Sequence, residues 1–303
     1  MAVAVLLAAG AAFLSALAVV FQRVALESAP DTGSLNPRLL VHALQKRGWL
    51  AGFALMLGTF ALQASALHFG QLSLVQPVLT MELVFLVAIL AIGFHRSVGR
   101  REIFGILAIV AGLAAFFASA APAVGTGQPG TTAWVAMSAA VIACALVLIA
   151  AGRIGPRWWR AAVLGAGAAT LFAYNAALAK TMTWLLGHGG VVHLFETPDP
   201  YLIALSGACG LFVLQGSLHS GPVTASRTAN VVVNPLVSIV IGLTAFGEHI
   251  RGGALFIVLD ILSIAILCLG IAILARSPLI TSLSEEYLAT APAPATVPVP
   301  QPE

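Results

Sequence analysis

Four ionisable residues stand where charge is expensive. Glu82, Lys180, Arg227 and Asp260 each lie inside a long apolar stretch. A charge at the centre of a membrane helix costs about 2.5–3.5 kcal/mol on insertion scales. It is therefore normally paired, turned to water, or part of an ion or proton path. Burial tunes the proton affinity of a carboxyl, so Glu82 and Asp260 are candidate proton-coupling groups.

Uncharged polar residues surround them at helical spacing. Thr224, Arg227, Asn230, Asn234 and Ser238 recur every three or four residues, on one helix face. Such a face lines a water-filled cavity or bonds to neighbouring helices, at about 0.6 kcal/mol per contact. Five polar positions exceed what packing needs, which favours a cavity. Ser73, Gln76 and Thr80 form a similar face. Glu82 falls opposite them on an ideal helix of about 3.6 residues per turn, unless Pro77 alters the phase. A third stretch carries Thr170, Tyr174 and Thr181 on one stripe, with Asn175 beside it. Tyr174 suits either a solute or a helix interface. The candidate substrate-binding set is Gln76, Glu82, Tyr174, Asn175, Lys180, Arg227, Asn230, Asn234 and Asp260. No metal site is expected. His68 and His219 sit where each is expected to hydrogen-bond at a helix end.

Helices must position these groups. The chain has 303 residues, 60% hydrophobic and 8% charged, against about 25% charged in soluble domains. Its apolar blocks reach the ~20 residues that a span requires, and lipid leaves helices as the plausible form for such blocks. The expected fold is all-α, a polytopic bundle of about nine spans near residues 2–22, 48–69, 72–94, 102–121, 132–151, 161–186, 201–219, 223–246 and 253–275. Cys144, Cys209 and Cys268 are expected as small core residues. The Pro/Ala-rich end, residues 276–303, is expected to be a disordered cytoplasmic tail.

Loop charge sets the direction. Arg38, Lys46 and Arg47 lie in the first loop, Arg96, Arg100 and Arg101 in the third, and Arg153, Arg157 and Arg160 in the fifth. The second, fourth and sixth loops carry no Lys or Arg, and Arg251 in the eighth is the one dissent. A multi-pass protein of the cell membrane is expected, with its N-terminus outside and its C-terminus cytoplasmic. The first apolar run has no basic residue before it and Arg23 after it, which suits a retained helix rather than a cleaved leader. Depth then narrows the charge pairings. Glu82, Asp260 and Lys180 lie about 15, 12 and 9 Å from the outer ends of their spans, and Arg227 about 8 Å from its inner end. Lys180 is expected to pair with Asp260 or Glu82, and Arg227 to use neighbouring carbonyls or to snorkel inward.

The tetrad Leu67-His68-Phe69-Gly70 returns as Leu218-His219-Ser220-Gly221, 151 residues on. The two copies close the second and seventh spans. Five spans apart, they run in opposite directions. Each is followed by a short junction and a span that starts with small or polar residues and ends near Phe94 or Phe246. Two inverted halves with a site between them are a plan of secondary transporters. Repeat one is expected over about 1–121, a linking helix over about 132–151, and repeat two over about 161–275, within one transmembrane domain over 1–275. "ALHFGQLSLVQP", and "NPLVSIVIGLTAFGEHIRGG" with its Gly247-Glu248 pair, resemble the drug/metabolite transporter superfamily in its EamA-like form. Nine spans and a Lys within "AYNAALAKTM" are similar to the NIPA-like magnesium transporter branch. The resemblance covers about residues 1–275. It departs at His95-Arg96, where Gly-Glu would be expected, and in the absence of a tenth span. It implies two inverted repeats that alternate access to a central cavity.

No G-x-x-x-x-G-K-[ST] loop and no H-E-x-x-H motif occurs, and the loops are too short for a nucleotide-binding domain. An ATP-driven pump and a zinc protease are disfavoured; no enzyme activity, cofactor or nucleic-acid partner is expected. The leading reading is a secondary transporter of a small solute. Glu82, Asn230, Asn234 and Asp260 could instead supply oxygen ligands to magnesium, with Lys180 and Arg227 opposing a cation. A third reading is a membrane scaffold or accessory subunit. Small-molecule or ion substrate, membrane lipid and a second copy of the chain are the partners these readings allow.

Overall fold

The computed structural model describes residues 1–26, 47–122 and 128–280. Arg38, Lys46 and residues 281–303 lie outside the described residues. The described elements are helices: α1 (Ala2–Leu26), α2 (Arg47–Phe69), α3 (Leu72–Leu79), α4 (Glu82–Gly93), α5 (Arg100–Ala120), α6 (Thr131–Ala151), α7 (Arg157–Glu196), α8 (Asp199–Ser220), α9 (Val223–Thr244) and α10 (Ala254–Ala275). They form nine segments long and apolar enough to cross a membrane, with α3 and α4 making up the third. This is compatible with a membrane protein. Leu6, Ile92 and Phe212 are each at least 70% exposed, an outer surface suited to lipid rather than water.

Pro77 explains the break in the third segment. It offers no N–H to the helix ladder. Thr80 N donates to Pro77 O (3.1 Å), Met81 N to Val78 O (3.0 Å) and Leu83 N to Thr80 O (3.2 Å). This run of i→i−3 bonds tightens the turn and alters the phase of Glu82 relative to Ser73, Gln76 and Thr80. Elsewhere, α7 runs past the expected boundary to Glu196 and kinks at Gly190, whose φ of 72° suits glycine.

Helix α7 is the most enclosed. Its segment is 67% buried, against 44% at most for the others. It packs on α8, α9 and α6; α1 packs on α2, α3 and α4; α5 packs on α10; and α3 lies against α9. Small residues permit the closest crossings. A Cβ on Gly112 of α5 would lie 2.6 Å from Leu267 N of α10, and one on Gly165 of α7 would lie 2.5 Å from Ser226 O of α9. Three apolar clusters fill the interior among the described residues, the smallest joining Phe116, Ala120 and Ile239. Of the larger two, one joins Leu67, Leu74, Val78, Leu178 and Phe246. The other joins Val87, Ile109, Leu267 and Ile271.

The loops meet in the way alternating crossings require. At the end bearing Met1, a Cβ on Gly70 would meet the Ala4 Cβ, Gln71 Nε2 donates to Pro122 O (3.5 Å), and Arg251 N donates to Ala120 O (2.7 Å). At the opposite end, Ser277 Oγ donates to Glu102 Oε1 (2.5 Å) and Ser217 Oγ to Ala161 O (2.7 Å).

Two expectations need correction. Cys144 and Cys209 are exposed on the outer surface rather than in the core, and Cys268 is half-buried. The bundle also continues past residue 275. Ser277 is fully buried and Ile280 is nearly so, held by Ser277 N to Leu274 O and Ile280 N to Ser277 O.

Candidate functional site

Helix α3 begins without a capping side chain of its own, because Gln71 at its N-cap makes no cap bond. Its first N–H groups still require acceptors. Glu248, 175 residues further along, supplies them. Leu72 N donates to Glu248 Oε1 (2.6 Å) and Ser73 N to Oε2 (2.9 Å). A carboxylate here also meets the positive end of the helix dipole. Its position comes from the end of α9, where the chain turns back at Gly247 (φ 59°) and Glu248 N reaches Gly242 O (3.0 Å). Gly242 leaves the necessary room, since a Cβ there would collide with the Glu248 carboxylate.

Lys180 of α7 completes the group. Its Nζ lies 2.5 Å from Glu248 Oε1 and 4.6 Å from the centroid of Phe246. The Lys180 side chain is 16% exposed and that of Glu248 is fully buried. The expected pairing of Lys180 with Asp260 or Glu82 is thus incorrect. Glu248 lies just beyond the end of a span, outside the set of charges within spans from which a partner was expected. Trp134 of α6 packs edge-on to Phe246 and stacks beside Tyr174, whose hydroxyl donates to Ser138 Oγ (2.9 Å). Phe246 thus links the Lys180–Glu248 pair to this aromatic group.

A second pair lies deeper. Arg227 and Glu82 lie within electrostatic reach of each other, with Ser15 of α1 near Glu82. Arg227 is exposed although surrounding protein desolvates it. Asp260 belongs elsewhere. It accepts a hydrogen bond from Ser119 of α5, and its Oδ2 is buried with no hydrogen-bond partner.

The remaining candidates divide by helix face. Asn175 donates to Ile203 O (2.7 Å) and Ser206 Oγ (3.0 Å), joining α7 to α8. Asn230 donates to Gly165 O (3.3 Å), joining α9 to α7. Thr170 bonds back to Ala166 O of its own helix. Gln76 and Asn234 differ. Gln76 Nε2 and Asn234 Oδ1 are buried with no hydrogen-bond partner, as are Ser73 Oγ and Ser238 Oγ. Ser73 and Gln76 lie on α3, Asn234 and Ser238 on α9, and these helices pack together.

Sequence reasoning did not include Glu248 in the site. Two signals pointed to it: an acid directly after the left-handed Gly247, and a helix start at Leu72 with no local cap. The residues considered for magnesium are spread over different neighbours: Glu82 lies near Ser15 and Arg227, Asp260 accepts from Ser119, Asn230 donates its amide N–H to Gly165 O, and Asn234 Oδ1 has no partner. Among the described residues, no group of three or more His, Cys, Asp or Glu is placed to hold a metal ion.

The chain is similar to an uncharacterized protein of Corynebacterium glutamicum, with 28% identity over 242 residues that cover 77% of this chain and 80% of that protein. No family model matches the chain, and no solved structure matches it.

Proposed function

We propose that the protein is a secondary transporter of a small solute, built from two inverted repeats that alternate access to a site between α3 and α9. The observation that carries this reading is the set of buried, unpartnered polar atoms on Ser73, Gln76, Asn234 and Ser238. Each such atom costs about 1–3 kcal/mol when nothing satisfies it. A scaffold has no use for four of them along one seam, whereas a carrier needs them for its cargo.

Matching helix partners support the repeat. Span one packs on spans two and three, as span six packs on spans seven and eight, while spans three and eight, and four and nine, pack across the halves. Both third members also end alike. Arg96 N reaches Leu90 O (3.3 Å) after His95 at φ 51°, and Glu248 N reaches Gly242 O (3.0 Å) after Gly247 at φ 59°. Both bonds run from residue i+6 back to residue i, one residue wider than a Schellman closure, and they lie 152 residues apart in sequence. The tetrads lie 151 apart, so the second copy gains one residue between tetrad and closure.

In this reading the Lys180–Glu248 pair closes the Met1 end, and Arg227 lies at the mouth on the other. Glu82 already has a cation beside it, which leaves Asp260 as the proposed proton-coupling carboxylate. The orientation proposed is the one the loop charges suggest, N-terminus outside. A deletion strain compared with its parent across metabolites, toxic compounds and low magnesium tests the function. We expect a growth or accumulation difference for one solute class, restored by the wild-type gene and not by Gln76→Leu. Identical solute contents in both strains would favour the scaffold.

A further inference from the structure

Resting on the transporter reading, we infer that the cargo is an uncharged polar solute bearing hydroxyl or amide groups, held along the α3–α9 seam. Three observations lead there. First, the unpartnered atoms belong to two helices in contact, at matching levels. Gly242 of α9 abuts Ser73 of α3: its Cβ would lie 3.3 Å from Ser73 N. The two helices run antiparallel under alternating crossing, so Ser238 stands near the level of Gln76, and Asn234 near that of Thr80 and Met81. Along α9, the distance from the C-terminus is about 9 Å to Ser238 and about 15 Å to Asn234.

Second, the set is chemically mixed and neutral. Gln76 Nε2 is a donor, Asn234 Oδ1 an acceptor, and the Ser73 and Ser238 hydroxyls serve as either. Hydroxyl and amide groups are likewise both donor and acceptor. Ser73, Gln76 and Ser238 are no more than 2% exposed, so bulk water does not satisfy them.

Third, the charges at the two ends of the seam each have an opposite charge near them. Above the seam, Glu248 faces Lys180 and two backbone N–H groups. Below it, Arg227 and Glu82 lie within electrostatic reach of each other. Asp260, whose Oδ2 is unpartnered, lies on α10 against Ser119 of α5 rather than on α3 or α9. An ionic solute entering the seam would lose its hydration without a free counter-charge, a loss far larger than that of a hydroxyl or amide. The same seam therefore attracts neutral polar molecules and rejects ions and zwitterions.

The test uses the full-length protein in proteoliposomes. These are exposed to a defined mixture of neutral polyols and amides, amino acids, organic anions, organic cations and magnesium, and their contents are read by mass spectrometry. Uptake confined to the neutral class is expected. Ser238→Ala and Gln76→Leu should each raise KM for that solute about fivefold while leaving Tm unchanged or higher, because each removes a buried polar atom that has no protein partner. Ser73→Ala and Ser238→Ala delete only a hydroxyl and keep the test available if Gln76→Leu does not fold. Uptake of a charged or zwitterionic class instead overturns the inference and leaves the transporter reading standing. Uptake of nothing removes both. An unchanged KM in all three variants, with Tm raised, means that the seam holds water only and also overturns the inference.

Discussion

Replacing Glu248 with Gln should be among the most damaging changes of one functional group in this chain. The carboxylate receives two backbone N–H groups and the Lys180 ammonium at 2.5–2.9 Å. Gln keeps one acceptor oxygen and turns an NH₂ toward a donor. Lys180, only 16% exposed, then loses its counter-charge. Breaking one side of a buried pair costs about 3–5 kcal/mol. The charge–dipole contribution at α3 adds up to ~1 kcal/mol at most sites. Lys180→Met should cost less, about 1–3 kcal/mol, because Glu248 retains both backbone donors. The double variant should cost no more than Lys180→Met, since the Gln oxygen still caps one N–H and no ammonium is stranded. Thermal unfolding of the four proteins in one detergent measures this cycle. Glu248→Gln should lower Tm by on the order of 10 °C, with at least ~2 kcal/mol of coupling to Lys180. Single effects that add to within about 0.5 kcal/mol would show that the two groups do not act together, and the closure argument would fail.

Three further outcomes follow from the geometry. Gly112→Ala places a Cβ against Leu267 backbone and should destabilise by about 1–3 kcal/mol, whereas Gly216→Ala meets nothing within 4 Å and should gain up to ~1 kcal/mol; Tm values of the two variants check the contrast. His95→Gly removes a left-handed non-glycine residue (φ 51°) and should stabilise by about 1 kcal/mol, read in the same assay. Asp260→Asn keeps an acceptor for Ser119 Oγ and removes the titratable group; uptake in proteoliposomes should lose its dependence on an imposed proton gradient, and a retained dependence would exclude Asp260 as the coupling group.

The nine segments were legible because each apolar block is long enough to reveal itself by composition alone. The break near Thr80 was half legible: Pro77 announced a lost donor, but the run of tightened bonds to Leu83 is a tertiary outcome. Charge partners were not legible. Lys180 and Glu248 are separated by 68 residues, and which spans cross at equal depth is decided by close contacts such as Gly165 against Ser226. The polar stripe of α9 illustrates the same limit. Its spacing placed Asn230 and Asn234 on one face, yet Asn230 is taken up by Gly165 O and Asn234 Oδ1 is left without a partner. One helical turn separates glue from a vacant valence, and no periodicity encodes that difference.

The Glu248 carboxylate also sets an order on biogenesis. The donors at Leu72 and Ser73 leave the ribosome 176 and 175 residues ahead of their acceptor. At translation rates of about 5–20 residues per second, that is a wait of roughly 9 to 35 s. Through that interval, nascent α3 must borrow water or lipid head groups for its first turn. A chain stopped before codon 248 would keep its third crossing uncapped, a handle by which quality-control proteases could tell unfinished copies from finished ones.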